Sequence, residues 1–98
     1  MRNIKLLIEY DGTNYLGWQV QLKGSTIQGV LEEKIGLLTG ESIRLFGSGR
    51  TDSGVHAFGQ VANFKTKSKL DVYSIQKALN SLLPPDIVIQ RAEEVEED

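Results

Sequence analysis

Residues 42–66 read Ser-Ile-Arg-Leu-Phe-Gly-Ser-Gly-Arg-Thr-Asp-Ser-Gly-Val-His-Ala-Phe-Gly-Gln-Val-Ala-Asn-Phe-Lys-Thr. Two strand-like segments stand at its ends with only a glycine-rich loop between them. Ile43 and Leu45 alternate with polar neighbours, which predicts a strand near 42–48. After the loop, Phe58, Gln60, Ala62 and Phe64 are predicted to face one way and Val61 and Asn63 the other, in a strand over about 56–66. Two strands joined without a helix form an antiparallel pair, and this pair decides the order of everything around it.

Upstream, residues 4–10 combine short alternation with a continuous apolar centre, as in a strand covered on at least one face. Asp11-Gly12-Thr13-Asn14 carries turn chemistry, and the stretch through Gly24 has no period, so it reads as a long loop. Ser25 is the expected N-cap of a helix over 26–39, with Gln28 returning the bond in a capping box. Ile27, Val30, Leu31, Ile35 and Leu38 recur on one face, and Gly40 suits the left-handed stop. Downstream, Asp71 can cap a second helix with Val72, Ile75, Leu79 and Leu82 along one stripe, ended by Pro84-Pro85. Ile87, Val88 and Ile89 make a last strand. The order β-α-β-β-α-β predicts an α+β, ferredoxin-like sandwich: a four-stranded, mostly antiparallel sheet with two helices on one face.

The 98 residues are 40% hydrophobic and 24% charged, ordinary proportions for one globular domain. There is no cysteine, so neither a disulfide framework nor thiol chemistry is available. No apolar run is long enough to span a bilayer. Met1-Arg2-Asn3 leads directly into a strand without a signal-peptide layout, and a cytoplasmic location is the expectation. The net charge is −2, yet five of the thirteen acids fall in the last six residues. Residues 1–92 alone hold eleven basic against eight acidic side chains, a net of +3, which permits an RNA partner without requiring one. The expected division is a domain over 1–92 followed by an acidic tail, or the start of a linker, over 93–98.

The chemistry is concentrated in Gly47-Ser48-Gly49-Arg50-Thr51-Asp52-Ser53-Gly54-Val55-His56-Ala57. A Walker cradle would need a terminal Gly-Lys-Ser/Thr, and a dinucleotide loop would need glycine at Asp52; neither is present. Asp11, Asp52 and His56 match no metal-ligand spacing. On residue chemistry alone, Asp52 reads as a loop-bracing carboxylate paired locally with Arg50 before it reads as a catalytic one, and His56 as a structural or cleft-lining side chain before an acid-base group.

This loop, from Gly49 through Gly59-Gln60-Val61 to Phe64, resembles the signature of the TruA family of tRNA pseudouridine synthases. Glu9-Tyr10-Asp11-Gly12, Tyr15, Gly17-Trp18-Gln19 and Gln21 are similar to that family's opening, and Ile27-Gln28 with Leu31-Glu32 to its first helix. Ala78-Leu79-Asn80, Leu83-Pro84 and Asp86-Ile87 are similar to the segment before its fourth strand. Ser53 departs from the alanine common in the family. The resemblance implies an isomerase that converts uridine to pseudouridine in the anticodon arm of tRNA, at positions 38 to 40, with Asp52 as the essential carboxylate. Asp52 would attack the sugar, attack the ring, or remove a sugar proton. It further implies that Arg50 helps to extrude the base and that the family's enzymes are homodimers; Thr51, His56, Gln60, Lys65 and Lys67 are the further candidates for substrate contact, and an isomerisation requires no metal or other cofactor. The resemblance is to the family's N-terminal half. A second, similar half is needed to cover the open sheet face and complete the cleft, so these residues alone are expected to be inactive.

Lys65, Lys67 and Lys69 alternate, which in an extended segment would project them together toward phosphates; a solvated strand end fits them equally. The alternative to an enzyme is a non-catalytic RNA-binding module of the same fold. Its usual aromatic context of Lys/Arg-Gly-Phe/Tyr is missing, although Phe58 and Phe64 are available.

Overall fold

The computed structural model describes residues 1–18, 24–47 and 56–96. Four strands and two helices follow the expected order: β1 (Arg2–Tyr10), α1 (Ile27–Thr39), β2 (Phe46–Gly47), β3 (Ala57–Thr66), α2 (Val72–Leu82) and β4 (Ile87–Val95). The sheet order is β2-β3-β1-β4 and every neighbouring pair is antiparallel. This is the ferredoxin-like arrangement.

β1 lies at the centre, and its period-2 pattern separates the two faces of the sheet. Ile4, Leu6, Ile8 and Tyr10 are buried on one face, where Ala62 and Phe64 of β3 and Ile87 and Ile89 of β4 join them. Ile27, Leu31 and Ile35 of α1 and Ile75 and Leu79 of α2 close the same cluster. Both helices therefore serve one core. Each of these aliphatic side chains contributes roughly 1.5–3 kcal/mol by leaving water.

Four expectations change in detail. The cap of α1 is Thr26, whose hydroxyl accepts the Gly29 N–H at 3.2 Å, and the helix begins one residue later than the Ser25 box implied. Gln28 does not return to a cap. Its side chain donates instead to the Leu45 carbonyl at 2.8 Å.

That same bond shortens β2. Leu45 also gives its N–H to Glu32 at 2.9 Å, so its backbone is satisfied by side chains of α1 and not by a strand partner. Of the expected strand over 42–48, only Phe46 and Gly47 pair with β3, opposite Asn63 and Ala62.

Phe58 does not share a face with Gln60, Ala62 and Phe64. The pairing of β1 with β3 passes from Ile8↔Gln60 to Tyr10↔Ala57, so β3 carries an extra residue there. This bulge reverses the side-chain phase and turns Phe58 outward, 83% exposed, onto the sheet face away from the helices.

Finally, β4 runs on to Val95, so Glu93, Glu94 and Val95 belong to the sheet and not to a tail. Glu93 and Glu94 lie beside the basic residues of β1. Lys5 reaches Glu93 at 3.5 Å and Arg2 reaches Glu94 at 3.1 Å. Opposite charges on adjacent strands favour the pairing and let an acidic sequence extend the strand.

Candidate active site

Asp52, Arg50 and Thr51 lie outside the described residues, within 48–55. The residues on either side of that segment, Gly47 and His56, both rest on the stretch that follows β1.

This stretch is tightly bonded. The Asp11 carboxylate caps a turn over Gly12–Asn14, accepting the Thr13 N–H at 3.0 Å and the Thr13 hydroxyl at 2.5 Å. These two bonds, with a smaller effect from nearby His56, hold the Asp11 carboxyl below its ordinary pKa. Asp11 N–H donates to the Asp86 carbonyl at 2.9 Å, and the Tyr15 hydroxyl donates to the Asp86 carboxylate at 2.6 Å. Burial, then the Asp86 carboxylate, push the Tyr15 phenol well above its ordinary value. At the far end, the Gly17 and Trp18 carbonyls accept the Ile27 and Gln28 N–H groups at 3.1 and 2.9 Å. The stretch from 11 to 18 is thus joined to the start of β4 at one end and to the start of α1 at the other.

Trp18 is 3% exposed and stacks on Tyr10, with ring centroids 6.2 Å apart. Gly47 lies against its indole: a Cβ there would fall 2.6 Å from Nε1 and 2.7 Å from Cε2. On the other side of the segment, His56 Nδ1 accepts the Gly12 N–H at 2.9 Å.

Beside His56 is an open cavity of about 280 Å³, lined among others by Glu9, Asp11, His56, Phe58, Asp86 and Val88. Three carboxylates and two exposed rings meet there. Glu9 accepts from the Gln90 amide, and Asp11 and Asp86 hold the bonds just described, so these acids brace the cavity wall.

The remaining candidates are spread out. Gln60 pairs with Ile8 across the sheet and takes the helix-side phase. Lys65 pairs with Asn3 and lies on the open face. β3 ends at Thr66, after which Glu41 binds the Thr66 hydroxyl and accepts the Lys67 N–H at 3.0 Å. Lys67 and Lys69 therefore do not extend the strand. Lys65 stands eight residues along β3 from Ala57, about 26 Å at the rise of an extended chain. His56 alone of the described candidates meets the cavity.

Sequence reasoning missed the contributions of Phe58, Tyr15 and Asp86 to this region. Tyr15 and Asp86 were visible as residues, but a pair 71 positions apart leaves no local signal. Phe58 was placed on the wrong face because a bulge has no period.

The chain was compared with known proteins. Residues 6–97 match the model of a family described as tRNA pseudouridine synthase. The tRNA pseudouridine synthase A of Caldicellulosiruptor saccharolyticus is 60% identical over 98 residues, which is all of this chain and 40% of that protein. The Geotalea daltonii protein of the same name is 60% identical over 95 residues, covering 97% of this chain and 39% of its own length. A Clostridium perfringens protein named tRNA pseudouridine synthase A 2 is 59% identical over the full chain and 40% of its own length. The chain spans about two fifths of the length of these curated relatives. With 92 of 98 residues inside the family model, the chain belongs to the tRNA pseudouridine synthase family.

Proposed function

We propose that this chain carries the catalytic carboxylate, Asp52, of an enzyme that isomerises uridine to pseudouridine in tRNA. The observation that supports the reading is the match of residues 6–97 to the family model. Arg50, Thr51 and Asp52 fall in sequence between Gly47 of β2, which lies against Trp18, and His56, which lines the cavity.

In the reaction the bond from ribose C1′ to uracil N1 breaks, the base turns, and C5 joins C1′. The C5 hydrogen leaves as a proton and N1 gains one, so no electrons are exchanged and no redox cofactor is called for. An ionised carboxylate can serve as nucleophile or base. A stacked uridine must first leave its stack, at a cost of a few kcal/mol. Arg50 suits the vacated place because its planar cation both stacks and binds phosphate. Thr51 and Gln60 are proposed to contact the flipped nucleotide, while Lys65 near the end of β3 and Lys67 just beyond it meet the RNA backbone. The substrate site is the anticodon arm at positions 38 to 40, the enzyme is a cytoplasmic homodimer, and the remaining length of the relatives completes the cleft.

The test is tritium release from tRNA labelled at uridine C5, by this chain and by a version carried to the length of its relatives, each with and without Asp52→Ala. Release by the longer, Asp52-containing protein alone supports the reading. No release from any version, with RNA still bound, favours a non-catalytic RNA-binding module. That second reading draws on Phe58 and Phe46, which are 83% and 56% exposed on the helix-free face, where bases can stack.

A further inference from the structure

The bulge in β3 gives one side chain a place that plain alternation would deny it. Between Ile8↔Gln60 and Tyr10↔Ala57 the strand carries an extra residue, and Phe58 leaves the face of Ala62 and Phe64 for the helix-free one, where it is 83% exposed. A single exposed apolar residue calls for no explanation. A bulge that turns one out is different, because bulges re-aim side chains and are frequent beside active sites.

The residue so turned lines the cavity. Around it stand Val88, itself 44% exposed, and the carboxylates of Glu9, Asp11 and Asp86. Gly59, next along β3, adds no side chain beside the ring, and a Cβ there would meet Leu7 Cδ1 at 3.5 Å. The ring is thus left open to a flat partner.

The lining also selects that partner's chemistry. Neither lysine nor arginine is among the described residues of the cavity, and carboxylates repel a phosphate while accepting from the N–H groups of a base or the hydroxyls of a ribose. Cations that suit phosphate lie outside it on the same face: Arg91 opposite Leu7, and Lys5 two residues away along β1.

We propose that Phe58 is a stacking platform for one unpaired base of the RNA substrate, held at the mouth of the cavity with its phosphates toward Arg91 and Lys5. The inference rests on the reading that the protein acts on tRNA. It adds a contact that a regular duplex cannot make, because a base inside a helix has both faces covered by its neighbours, whereas an unstacked one offers a face to an aromatic side chain.

Stacking is separated from simple apolar contact by the shape of the replacement. In the protein carried to the length of its relatives, Phe58→Trp, Phe58→Tyr, Phe58→Leu and Phe58→Ala are compared with the parent for binding to two RNAs at one salt concentration. One is an anticodon-arm stem-loop, the other a blunt duplex of the same stem. Phe58→Ala and Phe58→Leu are expected to bind the stem-loop about tenfold more weakly, and Phe58→Trp and Phe58→Tyr within about threefold of the parent. Binding to the duplex should stay within about twofold throughout, and thermal midpoints within a few degrees, since the ring is exposed.

Full affinity in Phe58→Leu overturns the inference in favour of an apolar contact, such as a segment of the remaining protein seated on the ring. An equal loss on the duplex, or no loss in Phe58→Ala, overturns it as well. A parent that binds neither RNA sinks the proposed function. A parent that binds the stem-loop, with variants that ignore the aromatic order, sinks this inference alone.

Discussion

Gly47 and Trp18 are in contact so close that no side chain fits between them: a Cβ on Gly47 would lie 2.6 Å from the indole Nε1 and 2.9 Å from Cζ2. The ring cannot yield easily, because it is buried and stacked on Tyr10. Gly47→Ala is therefore expected to destabilise the protein by about 1–3 kcal/mol, the usual cost of overpacking. Denaturant unfolding measures it. Combined with Trp18→Leu, which removes the ring, the alanine should cost much less than it does alone, and a strictly additive double variant would contradict the contact.

The start of α1 offers a second contrast. Thr26 accepts the Gly29 N–H, while Ser25 stands one residue outside the cap. Thr26→Ala should lose about 1 kcal/mol, Thr26→Ser much less, and Ser25→Ala close to nothing. A larger loss at Ser25 than at Thr26 would restore the capping box that the sequence suggested.

The reason Ser25 looked like the cap shows how far sequence reading reaches. Ser25 and Gln28 have the spacing of the box, but Gln28 is drawn to the Leu45 carbonyl 17 residues away, a choice made by tertiary packing. The element order, the helix stripes and the antiparallel sheet were legible because each rests on a local period. The length of β2 was not, since Glu32 and Gln28 take the Leu45 backbone away from the sheet. Nor was β4, where charges that suggest a tail are matched across the strand by Lys5 and Arg2. At the site, the motif around Asp52 was legible as a cluster of residue types. The platform that meets the two ends of that segment depends on the contacts Gly12–His56, Tyr15–Asp86 and Trp18–Gly47, each joining residues far apart in sequence.

Phe58 and Phe64 test the bulge in β3 directly. A plain alternation puts both rings in the core, whereas Phe64 is fully buried and Phe58 is 83% exposed. Phe64→Ala should cost about 3–5 kcal/mol, the range for a core aromatic. Phe58→Ala should stay within about 0.5 kcal/mol of the parent. Comparable losses would mean that the register slips differently from the Tyr10↔Ala57 pairing.

Tyr15 and Asp86 should leave a mark on alkaline stability. The Tyr15 phenol is raised above 10.0 in the folded protein, by burial first and then by Asp86. A group whose folded pKa lies above its unfolded value gives its full stabilisation below the unfolded value and loses it as the pH rises toward the folded one. Stability should therefore be level with respect to this residue below about pH 10 and fall above it. Tyr15→Phe removes both the bond to Asp86 and the titration. It should be less stable than the parent at neutral pH, by roughly 1.5–3 kcal/mol for a bond to a charged acceptor, and should lose less between pH 10 and 12. Parallel pH profiles for the two proteins would show that the phenol is not held by Asp86.

Glu41 gives the corresponding effect in acid. Its carboxylate receives the Thr66 hydroxyl first and the Lys67 N–H second, and these bonds lower its pKa from 4.5. Stability from this group is present above that unfolded value and lost as the pH falls toward the folded one. Glu41→Gln should flatten the decline below pH about 4.5, and an unchanged acid limb would contradict the bonding at the end of β3.

For the reaction itself, Asp52→Asn is the most selective change, because the amide keeps the size of the carboxylate while removing its charge. If the carboxylate acts as nucleophile or base, no hydrogen bond from the amide can replace it, and tritium release should fall to background in the protein carried to the length of its relatives. Affinity for tRNA and the thermal midpoint should stay close to those of the parent. If Arg50 helps extrude the base, as proposed, Arg50→Ala should act differently and reduce binding and rate together. A fall in kcat/KM of about a hundredfold, with weaker RNA binding, is the expected pattern. If Asp52→Asn instead weakened tRNA binding while the bound complex still turned over, the carboxylate would be a contact and the reactive group would lie elsewhere.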